Sequence, residues 1–228
     1  SDDTIAQNCL GALTGLCREK NPDMLRYCAA NKTDNVCVRR FSYQNGKIAP
    51  GKELLKEPFQ VCAQFSIYRK GFLDEFNLRF HPGLYHEDNE FTPRAYWYAQ
   101  TILSVNDLAY YIRLTPGSIT RTPNPKRGYD LLTIIGLLVR FAEDNVTVEY
   151  RPYIYKQVSD CINWCIRLMN SLPEKEKACL KSEFLKNRHI LDYLRKSSLF
   201  THRIEGGIMK ILPRKFDKIY KLLDRMKH

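Results

Sequence analysis

The segment Phe80-His81-Pro82-Gly83-Leu84-Tyr85-His86-Glu87-Asp88-Asn89-Glu90-Phe91 sets two adjacent carboxylates between a glycine-containing turn and the expected start of a helix. Thr92 suits an N-cap and Pro93 the first helical position, and residues 94–103 follow without a breaker, so a helix is expected from Thr92 onward. Glu87 and Asp88 would then lie in the approach to a helix N-terminus. Two roles compete for them: they complement the helix dipole, or one of the pair acts as a base.

On the N-terminal side, Ile5, Cys9, Ala12, Leu13, Leu16 and Cys17 recur at helical spacing, so a helix is expected after Asp3. Asn21-Pro22-Asp23 reads as the start of a second, short helix running to about Ala30. Residues 36–41 read as a strand and 44–47 as a turn. Phe59, Val61, Ala63, Phe65 and Ile67 alternate as in one extended stretch, expected to be a central strand beside the site. After Pro125 the pattern becomes helical, with candidates at 129–142, 153–170, 174–186, 188–199 and 206–226. Ile154, Val158, Cys161, Ile162, Cys165, Leu168 and Met169 form a clear apolar face in the second of these.

The 228 residues, 44% hydrophobic, suffice for one sizeable domain or a domain with a helical appendage. The most apolar run, residues 131–139, is stopped by Arg140, which fits a buried helix and not a membrane span. Eight cysteines lack the spacing of a zinc knuckle; Cys161 and Cys165 have helix-face spacing. Buried free thiols are the expectation, and with them a reducing, cytoplasmic compartment.

Tyr85-His86-Glu87-Asp88-Asn89-Glu90-Phe91, followed after a helix by Asp107-Leu108-Ala109-Tyr110-Tyr111-Ile112-Arg113-Leu114-Thr115-Pro116-Gly117-Ser118-Ile119-Thr120, resembles the second half of bacterial family 2 glycosyltransferases. Ser1-Asp2-Asp3 is similar to the tail of that family's Asp-x-Asp-Asp metal motif. The resemblance covers residues 1 to 125 and implies an α/β fold: a partial GT-A-like nucleotide-diphospho-sugar transferase domain, acceptor side, over 1–125, then an α-helical region over 126–228. It also implies that the chain is the C-terminal two-thirds of a longer enzyme, inactive without the nucleotide-binding strands upstream.

The activity implied is inverting transfer of a sugar from a nucleotide-diphospho-sugar to a polysaccharide or lipid-linked oligosaccharide, in cell-envelope biosynthesis. By resemblance, Asp88 is the base and Glu87 orients it or the acceptor, while Asp2 and Asp3 help hold Mg²⁺ or Mn²⁺ on the diphosphate. His86, Arg113 and Ser118 are implied donor contacts, and Trp97 and Tyr96 an acceptor platform, against the plainer readings of a hydrogen-bonding His, a solvated Arg and core aromatics. The base should be partly buried, so that its pKa suits proton transfer near neutrality.

The formal net charge is +11, and from Lys181 onward thirteen Lys and Arg face five acids. Residues 206–228 read as a basic amphipathic helix, which either lies on an anionic bilayer, at the inner face of the cytoplasmic membrane, or packs on its own domain. Nucleic-acid binding is disfavoured, because no finger, helix-turn-helix or aromatic-basic RNA motif is present. A metal hydrolase using His81, His86, Glu87 and Asp88 lacks a further ligand cluster at metal-binding spacing. The non-enzymatic alternative is a basic helical module that binds a membrane or an acidic partner.

Overall fold

The computed structural model describes residues 3–33, 36–39, 45–58, 61–113, 122–211 and 215–225. The chain forms two compact units, one of residues 1–79 with 94–122 and the other of residues 80–93 with 123–228.

The first unit is a mixed sheet. Strand β1 (Thr4–Ile5) precedes α1 (Cys9–Lys20), then come β2 (Met24–Asn31), β3 (Cys37–Arg39), β4 (Lys47–Ala49), α2 (Gly51–Leu54), β5 (Ser66–Tyr68) and α3 (Lys70–Glu75). Helix α4 (Glu87–Tyr98), of which only the residues from Arg94 onward belong to this unit, and the long strand β6 (Ile102–Ile112) follow. The sheet order is β1-β6-β2-β3, with β4 also on β6 and β5 also on β2; β2 and β6 run parallel and the other pairs antiparallel.

Three expectations fail here for local reasons. Ile5 belongs to β1, paired with Tyr110, so the first helix begins only at Cys9 and buries Cys9 and Leu13. Residues 24–31 form the central strand β2 and not a helix. Asn21, at φ 43°, is the left-handed cap that ends α1, its N–H on the Cys17 carbonyl, and Pro22 follows a helix stop as it commonly does. Met24 to Ala30 are all buried, and strands covered on both faces show no alternation to recognise. Conversely, the alternating stretch read as a central strand holds a 3₁₀ turn at Ala63–Phe65, where the Gln64 carbonyl takes the Tyr27 hydroxyl at 2.5 Å; only Ser66–Tyr68 pairs, on β2. Phe59 lies outside the described residues.

Asp23 ties this unit together at the head of β2. Its carboxylate accepts from the N–H groups of Gln100 (2.8 Å) and Thr101 (3.0 Å), the Thr101 hydroxyl (3.1 Å) and Arg69 (2.5 Å). Burial works against its charge, but the bonds from Arg69, Thr101 and Gln100 outweigh it and hold the carboxyl below its ordinary value. At Gly51 an added Cβ would sit 2.0 Å from the Tyr96 carbonyl oxygen, so only glycine permits this approach.

The second unit is helical: α5 (Pro125–Asn145), α6 (Arg151–Ser171), α7 (Glu174–Lys186), α8 (Leu191–Lys196), α9 (Phe200–Ile211) and α10 (Phe216–Arg225). The apolar run sits in α5 as expected, with Leu131, Ile134, Ile135 and Leu138 fully buried. The α6 face is also as expected, since all seven of its named residues are buried, each contributing on the order of 1.5–3 kcal/mol where the side chain is large. The start of α5 is earlier than expected: Asn124 caps it by accepting the Lys126 N–H at 2.9 Å, and Pro125 opens it.

The tail differs as well. Gly206 and Gly207 lie inside α9, which ends at Ile211, so the single helix expected over 206–226 is two. Helix α10 packs on its own unit through Phe216, stacked on Phe184 at 4.3 Å, through the buried Asp217, paired with Lys181 at 2.7 Å, and through Tyr220, whose hydroxyl takes Arg167 at 2.9 Å. All eight cysteines are free thiols; Cys9, Cys28, Cys161 and Cys165 are buried, Cys17 and Cys62 partly so, and Cys37 and Cys179 exposed, against the expectation that all are buried.

Candidate active site at the start of helix α4

Helix α4 begins at Glu87, five residues before the expected N-cap. The Asn89 N–H closes the first turn on the His86 carbonyl at 3.0 Å, and burial of Asn89, Glu90 and Phe91 holds this turn in place. Thr92 therefore lies inside the helix, its hydroxyl buried with no hydrogen-bond partner among the described residues, and Pro93 is also interior. The first turn carries Glu87, Asp88 and Glu90, where negative charge suits the helix dipole.

The turn leading into α4 is pinned by the first turns of α5. Gly83 and His86 both have left-handed backbones, at φ 76° and 63°, which is ordinary for glycine and costs a histidine on the order of 1 kcal/mol. Asp130 accepts the Tyr85 N–H at 2.8 Å and Lys126 at 2.5 Å; Lys126 also donates to the Gly83 carbonyl at 2.8 Å and lies over the Tyr85 ring. His86 is buried, with its ring 4.1 Å from that of Trp164. The buried Arg127 donates from Nε to His86 Nε2 at 3.0 Å. An acceptor at Nε2 leaves the proton on Nδ1, so His86 is a neutral imidazole. Burial and the Arg127 charge push its pKa down to about 4.

Asp88 moves the other way. Burial, then the charge of the adjacent Glu87, raises its carboxyl to about 6, against the bonds it receives from Asn89. The Asn89 amide donates to Asp88 Oδ1 at 3.0 Å. Its own oxygen faces Gln157 Nε2 at 3.5 Å and the Cys161 thiol at 4.0 Å, both from α6. These contacts orient Asn89 with its NH₂ toward Asp88. A carboxylate of pKa near 6 is ionised at neutral pH yet a stronger base than an ordinary aspartate. Asn89, Arg127, Asp130, Gln157, Cys161 and Trp164 were not anticipated from the sequence.

The other anticipated residues are placed as follows. Asp2 and Ser118 lie outside the described residues. Asp3 accepts the Tyr110 hydroxyl at 2.9 Å and the Arg113 N–H at 2.9 Å, one on each oxygen, which anchors the chain ahead of β1 to the end of β6. The Arg113 side chain is exposed. Trp97 is half-buried, but Tyr96 is fully buried with its hydroxyl 3.5 Å from Arg26, so it is a core residue with no ring face open to a sugar. Among the described residues no group of three His, Cys, Asp or Glu is arranged to hold a metal ion. Of the two anticipated metal ligands only Asp3 is described.

No protein-family model matches the chain, and no curated protein sequence matches it. Solved structures do. Crystal structures of S. aureus TarS 1–349 match in complex with UDP-GlcNAc (TM-score 0.66, 14% identity, 99% of this chain and 65% of that one) and in complex with UDP (0.59, 16%, 99% and 64%). A structure of S. aureus TarS also matches, at TM-score 0.52 and 19% identity, over 98% of this chain and 37% of the other. The chain shares the fold of S. aureus TarS 1–349. It has the expected form, a partial GT-A-like α/β domain followed by a helical region, and the chain spans about 65% of the length of TarS 1–349. At these identities the likeness is one of fold. No helix among the described residues is long and apolar enough to cross a membrane.

Proposed function

We propose that the chain belongs to an inverting glycosyltransferase of family 2 that transfers a sugar from a nucleotide-diphospho-sugar to a hydroxyl of a polysaccharide or lipid-linked oligosaccharide, at the cytoplasmic side of the envelope. One observation carries the reading. Asp88, beside a second carboxylate at the start of α4, is oriented by Asn89 and has its pKa raised to about 6, in a chain with the fold of a protein crystallised with UDP-GlcNAc.

In this reading the Asp88 carboxylate accepts the proton of the acceptor hydroxyl as that oxygen attacks the anomeric carbon, and the bond from that carbon to the diphosphate breaks on the opposite face. Glu87 raises the basicity of Asp88 through its charge and orients the acceptor. His86, neutral and with Nδ1–H free to donate, together with Arg113 and Ser118, serves the donor; Trp97 serves the acceptor. A divalent cation, Mg²⁺ or Mn²⁺, would be held by Asp2 and Asp3 and would neutralise charge on the leaving diphosphate.

The test is turnover of a nucleotide-sugar by the full-length protein with Asp88 intact and with Asp88→Asn. The substitution keeps the shape and removes the proton acceptor, so kcat should fall on the order of 10² or more with donor binding unchanged. In the intact enzyme kcat should fall on the acid side with an apparent pKa near 6. Undiminished turnover in Asp88→Asn would remove Asp88 from the chemistry.

A further inference from the structure

Helix α9 is built inside out. Phe200, Ile204, Ile208 and Ile211, at i, i+4, i+8 and i+11, form one stripe and are 65%, 45%, 37% and 77% exposed. Leu199, just ahead of the helix, is 40% exposed. The opposite face, His202, Glu205, Gly206 and Met209, is buried.

That inner face is seated mostly by polar and close-packing contacts. His202 lies between the Ser197 hydroxyl on Nδ1 (3.1 Å) and Asp160 on Nε2 (3.3 Å). Glu205 accepts the Asn163 amide at 2.8 Å. At Gly206 an added Cβ would lie 2.7 Å from Leu194 Cβ, so the helix approaches α8 closely. Ser197, His202 and Asp160 share residue types with a hydrolytic triad, but Ser197 is 2% exposed and receives the Leu199 N–H, so this cluster holds the helix and meets no substrate. The fold thus uses its polar side to dock α9 and turns four large apolar side chains outward, the reverse of an ordinary surface helix.

The margin of the stripe is basic. Arg203 and Lys210, seven residues apart, border it on one side; the Arg203 guanidinium lies over the Phe200 ring at 5.7 Å, and Lys210, 61% exposed, has an exposed Asp192 at 3.9 Å. Beyond it, Lys215, Lys218 and Lys221 are exposed, as is Leu222 at 62%. A second copy of a chain with net charge +11 would bring like charge against this margin, whereas anionic headgroups complement it and acyl chains accept the stripe.

We propose that the outward stripe of α9, bordered by Arg203 and Lys210, is an interfacial surface that seats this protein on a bilayer carrying anionic phospholipid. The surface is residues 200–211, upstream of most of the basic segment that sequence alone singled out, because Phe216 and Tyr220 of α10 are buried within the unit. It stands independently of the proposed transferase reaction.

The test is co-sedimentation of the chain with vesicles of phosphatidylcholine alone and of phosphatidylcholine mixed with phosphatidylglycerol, at low and raised salt. Binding should favour the anionic vesicles by on the order of tenfold or more and weaken with salt. Ile204→Gln with Ile208→Gln should lower it about tenfold or more, and Arg203→Gln or Lys210→Gln about fivefold each. These positions are exposed, so circular dichroism and thermal midpoints should not move. Val148→Gln, at an apolar residue 74% exposed elsewhere in the unit, should leave binding unchanged. Equal binding to both vesicles, no binding, or full binding by the double Ile variant would overturn the proposal. So would a dimer in sedimentation velocity that the double variant abolishes, since that assigns the stripe to a second copy.

Discussion

Asp88→Asn should stabilise the chain at neutral pH, whatever it does to activity. Burial first, then the charge of Glu87, carries the carboxyl from 3.8 to about 6. Between those values the folded state binds the proton that the unfolded state has released, so the free energy of unfolding falls as pH rises through this window and stays low above it. A shift of roughly two units corresponds to about 3 kcal/mol. Asp88 is only partly withdrawn from water, so about half of that, 1–2 kcal/mol, is the expected penalty at neutrality. Asparagine keeps the shape and an oxygen for the Asn89 amide but carries no charge beside Glu87. Urea unfolding of both proteins at about pH 4, 5, 6 and 7.5 gives the assay. The two should converge at the acid end and separate by 1–2 kcal/mol above about pH 6, at unchanged m. Equal midpoints at neutral pH, or a wild type more stable throughout, would refute the claim that folding strains this carboxylate.

Two further outcomes follow from the same contacts. Asp23→Ala removes the acceptor for the Gln100 and Thr101 N–H groups and for Arg69, and should cost about 2–4 kcal/mol at neutral pH. Because the folded state depresses this carboxyl, the gap to wild type should narrow as pH falls below about 4; a gap constant down to pH 3 in urea midpoints would contradict it. Under native conditions iodoacetamide should label Cys37 and Cys179 at least about a hundredfold faster than Cys161 and Cys165, as read by mass spectrometry, because burial pushes the Cys165 thiol up to about 12 and Cys161 higher still; similar labelling rates would show that α6 opens readily.

What the sequence made legible was what repeats locally. The helices α5 and α6 announced themselves because each buries one face of a long periodic stretch. Strand β2 could not, because a strand buried on both faces has no alternation, and Asn-Pro-Asp serves equally as a helix stop or a helix start; only the left-handed Asn21 decides it. Thr92-Pro93 misled for a related reason, since a good capping pair is also tolerated inside a helix whose first turn is held by packing. Asp88 was singled out from the sequence, but its surroundings were not: Gln157 and Cys161 lie about seventy residues downstream, and no local pattern couples them to Asn89. Arg127 and Asp130 were within reach, because Asn124-Pro125 is a cap and first-position pair that would have opened α5 four residues earlier and put both on its first turns.

The segment from His86 to Pro93 gathers features that each work against local stability. His86 takes a left-handed backbone, Asp88 is a carboxylate partly buried beside another, the Thr92 hydroxyl is buried without a partner among the described residues, and Pro93 interrupts the bonding of α4. An interior proline alone costs about 3 kcal/mol in an exposed helix, so this segment would not hold its shape unaided. It is held by α5, through Asp130 on the Tyr85 N–H and Arg127 on His86, and by α6, through Trp164 beside the imidazole and Gln157 on Asn89. Residues 80–93 accordingly belong with the helical unit, although they lie between the parts of the sheet unit in sequence. The helices after Pro125 therefore do more than follow the α/β portion: they keep the Glu87-Asp88 pair in a conformation the segment would not adopt alone. Local rules fail together here around Asp88, the one aspartate among the described residues that is raised toward neutrality.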